Sequence, residues 1–340
     1  MWTLVPVLVL SLTQPYPPSP LVDGLELDFS QVEQRAPGSD NWPCTWADDG
    51  HLYTCWGDGG GFGGTNQRGR VSLGVARVEG DAEGYRGTNL WGGADAEAPA
   101  TFGGKSYGIL AVANTLHMWV SPGSGLENNR EARLATSTDG GLTWSRADWA
   151  FSADDEILMP TFCQFGPGND GAPGDYAYMY AARLVDPGGE VQVPGEVWLM
   201  RAPQDDLSDR SAYEFFAGAD DAGEPVWSAE MGERQPVFRD PRGVREISAL
   251  YHPELGRYLL LGRHGPDRGS NFGMFDSPTP WGPWTTVAYE DGWGGYETAF
   301  FWCLPTKWLG QGLSFSMVFT GTGDLDAWNC VPGRLVGSSR

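Results

Sequence analysis

Four acidic residues stand next to strand-like segments, in positions where carboxylates can share a cleft: Asp40, Asp58, Glu246 and Glu297. Two carboxylates in one cleft can cleave a glycosidic bond, because one held protonated donates to the leaving oxygen while the ionised one activates water or attacks the sugar. We expect Asp40 to be the base or nucleophile, Glu246 or Glu297 the acid, and Asp58 an orienting group. Mutual repulsion and partial burial would separate their pKa values.

A second set of side chains is predicted to hold the substrate. Cationic side chains can bind hydroxyl or carboxylate groups, and aromatic rings can stack on the apolar faces of sugars. A histidine among the cations adds a group that can move a proton. The predicted substrate-binding residues are Trp42, Lys105, Tyr107, Arg183, Arg263, His264 and Tyr296.

The elements that position these residues are strands. The chain of 340 residues contains 49 Gly and 25 Pro, and its Tyr-, Trp-, Val- and Leu-rich segments are separated by turn-forming clusters. No stretch keeps apolar residues at helical spacing for three turns. A unit of two strands, a glycine-bearing connection and a third strand recurs five times, which predicts an all-β fold, a five-bladed β-propeller forming a single domain.

In such a fold the innermost strands all enter at one face of the central channel. The connections between the second and third strands return to that face, so the residues at both places meet in one pocket. Within the second unit, the segment from Ser137 to Trp144 has the form of an Asp-box, a turn capped by an aspartate with a tryptophan beneath it. This motif indicates the fold and says little about the site.

Charge and cysteine content exclude several classes of function. The 22 basic residues against 44 acidic ones give a formal net charge of −22, which argues against binding to nucleic acid or anionic lipid. The five cysteines lack metal-binding spacing, so no transition metal and no obligatory cofactor are predicted. Cys44 and Cys55 flank a tight turn and could form a disulfide or remain buried thiols. Asp324 and Asp326, in a glycine-rich loop, allow a structural Ca²⁺, although turn capping is the favoured interpretation.

The N-terminus predicts export. An apolar stretch from Leu4 to Leu12 is too short to cross a bilayer but suits a signal peptide. The predicted organisation is a signal peptide over 1–20, a linker over 21–37, the propeller over 38–335 and a tail over 336–340. We therefore expect a secreted or periplasmic monomer without membrane insertion, acting on a polysaccharide or oligosaccharide.

Several motifs resemble those of a known family. The segment Ser39-Asp-Asn-Trp-Pro to Asp58, together with Lys105-Ser-Tyr-Gly-Ile-Leu, Arg257-Tyr-Leu-Leu, Pro280-Trp-Gly-Pro-Trp and Pro305-Thr-Lys-Trp, is similar to a bacterial family of exported five-bladed propellers formerly classed as a domain of unknown function. That family includes endo-acting glycoside hydrolases on D-arabinan. The resemblance implies a polysaccharide-degrading enzyme with Asp40 as the catalytic carboxylate. Asn41 and Trp42 follow Asp40 where the family has a glycine, so the substrate can differ.

Two alternatives stay open at this point. A polysaccharide lyase would use Arg263 or Lys105 to neutralise a uronate and His264 or Tyr107 to remove a proton. A propeller without catalytic activity would only bind carbohydrate through aromatic stacking.

Overall fold

The computed structural model describes residues 14–122, 131–186, 191–265 and 269–338, and it is built from β-strands. The strands are β1 (Val22–Leu27), β2 (Glu33–Arg35), β3 (Cys44–Trp46), β4 (Leu52–Gly57), β5 (Leu73–Glu79), β6 (Arg86–Trp91), β7 (Lys105–Val112), β8 (Thr115–Ser121), β9 (Arg133–Ser137), β10 (Ser145–Arg146), β11 (Ile157–Gln164), β12 (Tyr176–Arg183), β13 (Gly195–Pro203), β14 (Glu214–Ala219), β15 (Pro225–Ser228), β16 (Phe238–Asp240), β17 (Arg245–His252), β18 (Arg257–Arg263), β19 (Phe272–Ser277), β20 (Thr285–Glu290), β21 (Ala299–Cys303), β22 (Ser314–Gly321) and β23 (Trp328–Gly337).

The helical elements in the described ranges are 3₁₀ turns of three residues each. They are Phe29–Gln31, Ala153–Asp155, Pro167–Asn169, Pro173–Asp175, Gln204–Asp206, Arg210–Ala212, Met231–Glu233, Trp293–Gly295, Thr306–Trp308, Gln311–Leu313 and Gly323–Leu325. Within this part of the chain, no helix has the length and apolar character needed to span a membrane. The prediction of an all-β chain is confirmed.

The described strands form consecutive antiparallel meanders. The first meander is β3-β4-β5-β6 and the second is β7-β8-β9-β10. The third and fourth, β11 to β15 and β17 to β20, join in one large sheet because β11 and β17 pair in parallel. The last meander is β21-β22-β23, with β1 added at its outer edge. Five meanders support the predicted five blades, and the number of blades itself stays a prediction.

The same register position recurs at one end of every meander. There the start of the innermost strand pairs with the end of the second strand: Asp40 with Gly57, Lys105 with Ser121, Ile157 with Arg183, Arg245 with Arg263, and Ala299 with Gly321. We call this edge of the meanders the mouth. The starts of the inner strands and the ends of the second strands therefore lie together in each meander, as the sequence predicts.

The inner strands are also irregular at the mouth. Register shifts interrupt the pairing of β7, β11, β17 and β21 within their first residues. Positive φ angles occur there at Met159, Glu246 and Phe301, and at Asn41 before β3. Bulges and left-handed backbone at non-glycine residues redirect side chains and are enriched near functional sites. The repetition of the feature turns several side chains toward the centre of the mouth.

Below the mouth, the shared centre of the inner strands is packed with apolar side chains. One buried cluster draws Cys44, Tyr107, Cys163, Ile247 and Phe301 from the five inner strands. Three further clusters fill the spaces between neighbouring meanders. Burial of this amount of apolar surface is the main force holding the meanders together.

The Asp-box turn forms as the sequence predicts. The Asp139 carboxylate accepts hydrogen bonds from the backbone of Leu142 and Thr143, and the Trp144 indole donates to the Gly141 carbonyl. The hydroxyl of Thr143 is the main cause that lowers the pKa of Asp139. The motif stabilises the β9–β10 turn of the second meander.

The N-terminal segments differ from the predicted organisation. The range 21–37, predicted to be a linker, contains β1 and β2, and both strands pair with β23. An unpaired edge on the last sheet would leave its backbone groups without partners, so the chain's own start covers it. Two residues of the range predicted as a signal peptide, Tyr16 and Ser19, contact the strands of the fold. Tyr16 packs 5.1 Å from the Phe238 ring, and the Ser19 amide bonds to the Thr286 carbonyl. Residues 1–13 lie outside the described residues.

Of the two interpretations of Cys44 and Cys55, the structure shows the buried free thiols. Cys44 pairs with Thr54 across the β3–β4 hairpin, and successive strand residues point to opposite faces, so Cys55 points away from Cys44. All five cysteines are buried free thiols. Burial is the main cause that raises the pKa of the Cys55 thiol to about 12, so it stays protonated at neutral pH.

Candidate active site at the mouth of the meanders

Three of the predicted residues meet at the start of the first two meanders. The ammonium group of Lys105 lies 2.8 Å from Asp58 Oδ2 and 3.4 Å from Asp40 Oδ1. Because both oxygens contact one nitrogen, they lie within 6.2 Å of each other, the sum of the two distances. Two carboxylates and a cation are thus brought together as the sequence predicts.

The backbone explains why this cluster is tight. Asp40 and Gly57 exchange both backbone hydrogen bonds, which fixes the Asp40 side chain beside the end of β4. A Cβ atom at Gly57 would lie 2.6 Å from Lys105 Nζ and 2.8 Å from Asp40 Oδ1. Only glycine leaves room for the ion pair at this position. The hydroxyl of Ser39 accepts a hydrogen bond from the Gly61 amide, so the glycine-rich loop after Asp58 is anchored next to Asp40.

Asp40 has the most perturbed carboxyl of this cluster. Burial is the largest cause and raises its pKa from 3.8 to about 6, with the Lys105 charge opposing and the Asp58 charge reinforcing the rise. The side chain nevertheless keeps 20% of its surface exposed. Burial by itself would lower the pKa of Lys105, but Asp40 and Asp58 outweigh it and raise that pKa. Asp40 can therefore exchange a proton with an incoming molecule near neutral pH.

The cluster continues toward the last meander. Arg70 Nη2 lies 3.2 Å from Asp58 Oδ1, and Arg70 Nη1 donates to Asn66 Oδ1 at 2.5 Å. Asn66 Nδ2 donates in turn to Asp326 Oδ2 at 3.3 Å. Burial, followed by the nearby Asp58 charge, raises the pKa of Asp326. Sequence reasoning missed Arg70 and Asn66, because the long β4–β5 connection has no periodicity that marks them.

A second charged group lies at the start of the fourth meander. Arg263 contacts both oxygens of Glu246, with Nε at 2.7 Å and Nη2 at 3.0 Å, and Arg245 Nε lies 3.0 Å from Oε1. All three side chains are about 95% buried. Because two guanidinium groups occupy the oxygens of Glu246, its proton-donor role is less favoured than the sequence suggested.

Tyr107 lies between the two charged groups. It is buried, and burial raises the pKa of its phenol to about 12; the charges of Glu246 and Asp40 reinforce the rise, and those of Arg245 and Lys105 oppose it. One side chain that interacts with both groups shows that they face the same centre. At that pKa and burial, Tyr107 is a poor base for removing a substrate proton.

Several other predicted residues lie away from this centre. Trp42 is fully buried between the Trp56 and Trp328 rings, at 5.6 and 5.4 Å, so it is not available for sugar stacking. His264 is 2% exposed and stacks 3.8 Å from the Tyr289 ring. Burial lowers the pKa of His264 to about 4, which leaves it neutral and inaccessible. Both residues are buried in the core, Trp42 just before β3 and His264 just after β18.

The remaining predicted residues lie at the rim. Arg183 pairs with Glu156 at 2.9 Å and Glu196 at 2.7 Å, and these two carboxylates raise its pKa. Tyr296 is half-buried and packs against the Trp293 ring. Glu297 is exposed two residues before β21. Neither Arg183 nor Glu297 contacts the Asp40 cluster in the hydrogen bonds and ion pairs of the described residues.

Asp324 and Asp326 are the residues at which the sequence allows a structural Ca²⁺ as the alternative to turn capping. In the described ranges no group of three His, Cys, Asp or Glu side chains is arranged to hold a metal ion. The Asp326 carboxylate instead accepts a hydrogen bond from Asn66. Turn capping stays the favoured interpretation, and a structural Ca²⁺ stays the untested alternative.

Residues 103–293, more than half of the chain, match the family described as Domain of unknown function (DUF4185). The chain belongs to the DUF4185 family. No curated protein matches it.

Solved structures resemble the DUF4185 chain over nearly its whole length. A Bacteroides ovatus protein described only provisionally as a hydrolase aligns with a TM-score of 0.55 and 13% identity, over 91% of this chain and 93% of that one. An exo-β-1,3-galactanase from Phanerochaete chrysosporium aligns with a TM-score of 0.52 and 12% identity, over 92% of this chain and 63% of that one. An α-L-arabinofuranosidase from Podospora anserina aligns with a TM-score of 0.51 and 11% identity, over 92% of this chain and 95% of that one. At these identities the likeness concerns the fold, and the predicted all-β propeller architecture is confirmed.

Proposed function

We propose that this DUF4185 protein is a glycoside hydrolase in which Asp40 is the general base that takes a proton from the attacking water. The observation that carries the proposal is the partly exposed Asp40 carboxyl with a pKa of about 6 beside Lys105. A base of that pKa is ionised above pH 6 and is more basic than an ordinary aspartate, which favours proton transfer. Glycoside hydrolases among the solved structures of the same fold are consistent with this choice.

In this proposal Lys105 and Asp58 are positioning residues. The ammonium holds the Asp40 carboxylate in one orientation while Asp58, paired also with Arg70, keeps the ammonium in place. Lys105 additionally limits the rise of the Asp40 pKa, since without its charge burial would keep the carboxyl protonated at higher pH. Glu246 and Glu297 are the candidate proton donors, and the variants Glu246→Gln and Glu297→Gln test which of them has this role.

The lyase alternative has less support from the described residues. It needs a cation open to a uronate, yet Lys105, Arg245 and Arg263 are all engaged by protein carboxylates. It also needs an accessible base, and His264 and Tyr107 are both buried.

The substrate class and the location of the protein are proposed from its sequence. We propose a polysaccharide substrate, with arabinan-type glycans among the first to be tested, and export to the cell exterior or periplasm. Support comes from the resemblance of the sequence motifs and from the apolar segment between Leu4 and Leu12. Because residues from Tyr16 onward pack against β16, β19 and β20, a removed leader would have to end before Tyr16.

The test is a glycan screen with a matched pair of variants. Wild type, Asp40→Asn and Asp81→Asn are incubated with plant, algal and bacterial-wall polysaccharides, and new reducing ends are measured. Asp81 is exposed in the β5–β6 turn, at the opposite end of the same meander. We expect Asp40→Asn to lose a factor of about 10² to 10⁴ and Asp81→Asn to keep its activity. Equal cleavage by Asp40→Asn would exclude the proposed base, and absence of cleavage by wild type on every glycan would exclude the hydrolase.

A further inference from the structure

A cavity of about 410 Å³ opens at the mouth between the first meander and the last one. Its polar lining includes Gln34, Thr65, Asn66, Asp324 and Asp326. The volume lies within the range of about 300 to 1,000 Å³ that small-molecule sites occupy. The backbone carbonyl of Asp326 accepts a hydrogen bond from the Gly38 amide, which closes the cavity floor two residues before Asp40.

The wall of this cavity is connected to the proposed active site by side-chain contacts. Asp326 accepts from Asn66, Asn66 accepts from Arg70, and Arg70 pairs with Asp58. Asp58 shares the ammonium of Lys105 with the proposed base. Side-chain contacts thus join the cavity wall to the proposed base.

The lining has the chemistry of a hydroxyl-binding surface. Carboxylate and amide oxygens accept hydrogen bonds from hydroxyl groups, while the amide nitrogens of Gln34 and Asn66 can donate to them. The described residues that line the cavity include no basic one, and Arg70, which donates to Asn66, is also paired with Asp58. The carboxylates of Asp324 and Asp326 would repel a further negative charge, because like charges at close range are costly.

We infer that this cavity is a subsite for one neutral sugar unit of the substrate, bound through its hydroxyl groups by Asn66 and Asp326. The inference rests on the proposed function and adds a binding site and a charge class to it. Asn66 and Asp326 contribute binding in this assignment, and proton transfer stays with Asp40.

The test separates binding from catalysis. Arabino-, xylo- and galacto-oligosaccharides and, as charged probes, oligogalacturonides are titrated by calorimetry into the full chain carrying Asp40→Asn, alone or combined with Asn66→Ala, Asp326→Ala or Gln67→Ala. Gln67 is the exposed neighbour of Asn66 and does not line the cavity, so Gln67→Ala is the matched control. Melting temperatures establish that every variant is folded.

We expect at least one neutral oligosaccharide to bind. Its affinity should fall tenfold or more with Asn66→Ala or Asp326→Ala and stay unchanged with Gln67→Ala. With Asp40 restored, the same two changes raise KM and, at pH 8, where Asp40 is ionised with or without the Asp326 charge, leave kcat within about a factor of three. Unchanged affinity and KM, tight binding of oligogalacturonides, or no binding at all would overturn the subsite. Cleavage by wild type with unaffected variants leaves the hydrolase standing without this subsite. Binding that depends on Asn66 without any cleavage by wild type leaves the subsite standing without the hydrolase.

Discussion

Replacing Lys105 by Met should raise the pKa of Asp40, because it removes the only cation among the groups that determine that pKa in the described structure. Methionine preserves much of the volume of the lysine side chain and removes its charge. Lys307→Met is the matched control, since Lys307 lies in a 3₁₀ turn and is not among the groups that influence Asp40.

The size of the effect follows from the 3.4 Å between Lys105 Nζ and Asp40 Oδ1. At an effective dielectric constant of roughly 20, two unit charges at that distance attract by about 5 kcal/mol, which is an upper bound. The ammonium is shared with Asp58 at 2.8 Å, and Asp40 is one-fifth exposed, so solvent and competition reduce the attraction. We expect a rise of about one to two pH units, equivalent to roughly 1.4 to 2.7 kcal/mol.

The assay is carboxyl NMR on protein labelled with carbon-13 in its aspartates, with Asp40 assigned through Asp40→Asn. In wild type the Asp40 signal should titrate near pH 6, and in Lys105→Met between about 7 and 8. Lys307→Met should match wild type. A wild-type midpoint near the ordinary 3.8, or an unchanged midpoint in Lys105→Met, would refute the account of this site.

Three further predictions concern stability and packing. Because the Asp40 pKa is raised on folding from 3.8 to about 6, its contribution to stability is present below pH 3.8 and is lost as the pH rises through 6. Asp40→Asn should therefore raise the free energy of unfolding at pH 7.5 by up to about 3 kcal/mol and have little effect near pH 3.5. Urea unfolding at the two pH values measures this, and an equal change in the free energy of unfolding at both would contradict it. Gly57→Ala should destabilise the protein by about 1 to 3 kcal/mol and abolish the pH 6 titration of Asp40, whereas Gly232→Ala, in open space, should do neither; a wild-type titration in Gly57→Ala would argue against the steric reasoning. Tyr16→Ala removes a ring that packs on two phenylalanines and should cost about 1 to 3 kcal/mol by thermal melting, and an unchanged melting temperature would mean that the N-terminal segment does not belong to the folded unit.

The recurring unit made part of the site predictable. Repetition defines where each inner strand begins, and this predicts that Asp40, Asp58 and Lys105 lie together. It also placed Arg263 beside Glu246, although it did not indicate that Arg245 and Arg263 would both contact that carboxylate.

The errors come from features that a repeat does not encode. Trp42 and His264 have the right position along the chain, but which way a side chain turns depends on bulges and register that sequence periodicity does not resolve. The sequence does not indicate β1, which falls in the predicted linker, because its partner strand lies more than 300 residues later in the chain. The Asn66–Asp326 contact joins two connections from opposite ends of the chain, so no local pattern predicts it.

The central claim is that ionisation of Asp40 controls cleavage of a glycosidic bond. Its most direct test is the rate of reducing-end release by wild type and Asp40→Asn between pH 4 and 8, on whichever glycan the screen identifies. We predict that kcat/KM of wild type rises with pH through a midpoint near 6, and that Asp40→Asn is slower by about 10² or more at pH 8, with the difference narrowing as the pH falls below 6. Asp40→Asn activity equal to wild type, or a wild-type profile without a transition near pH 6, would contradict it.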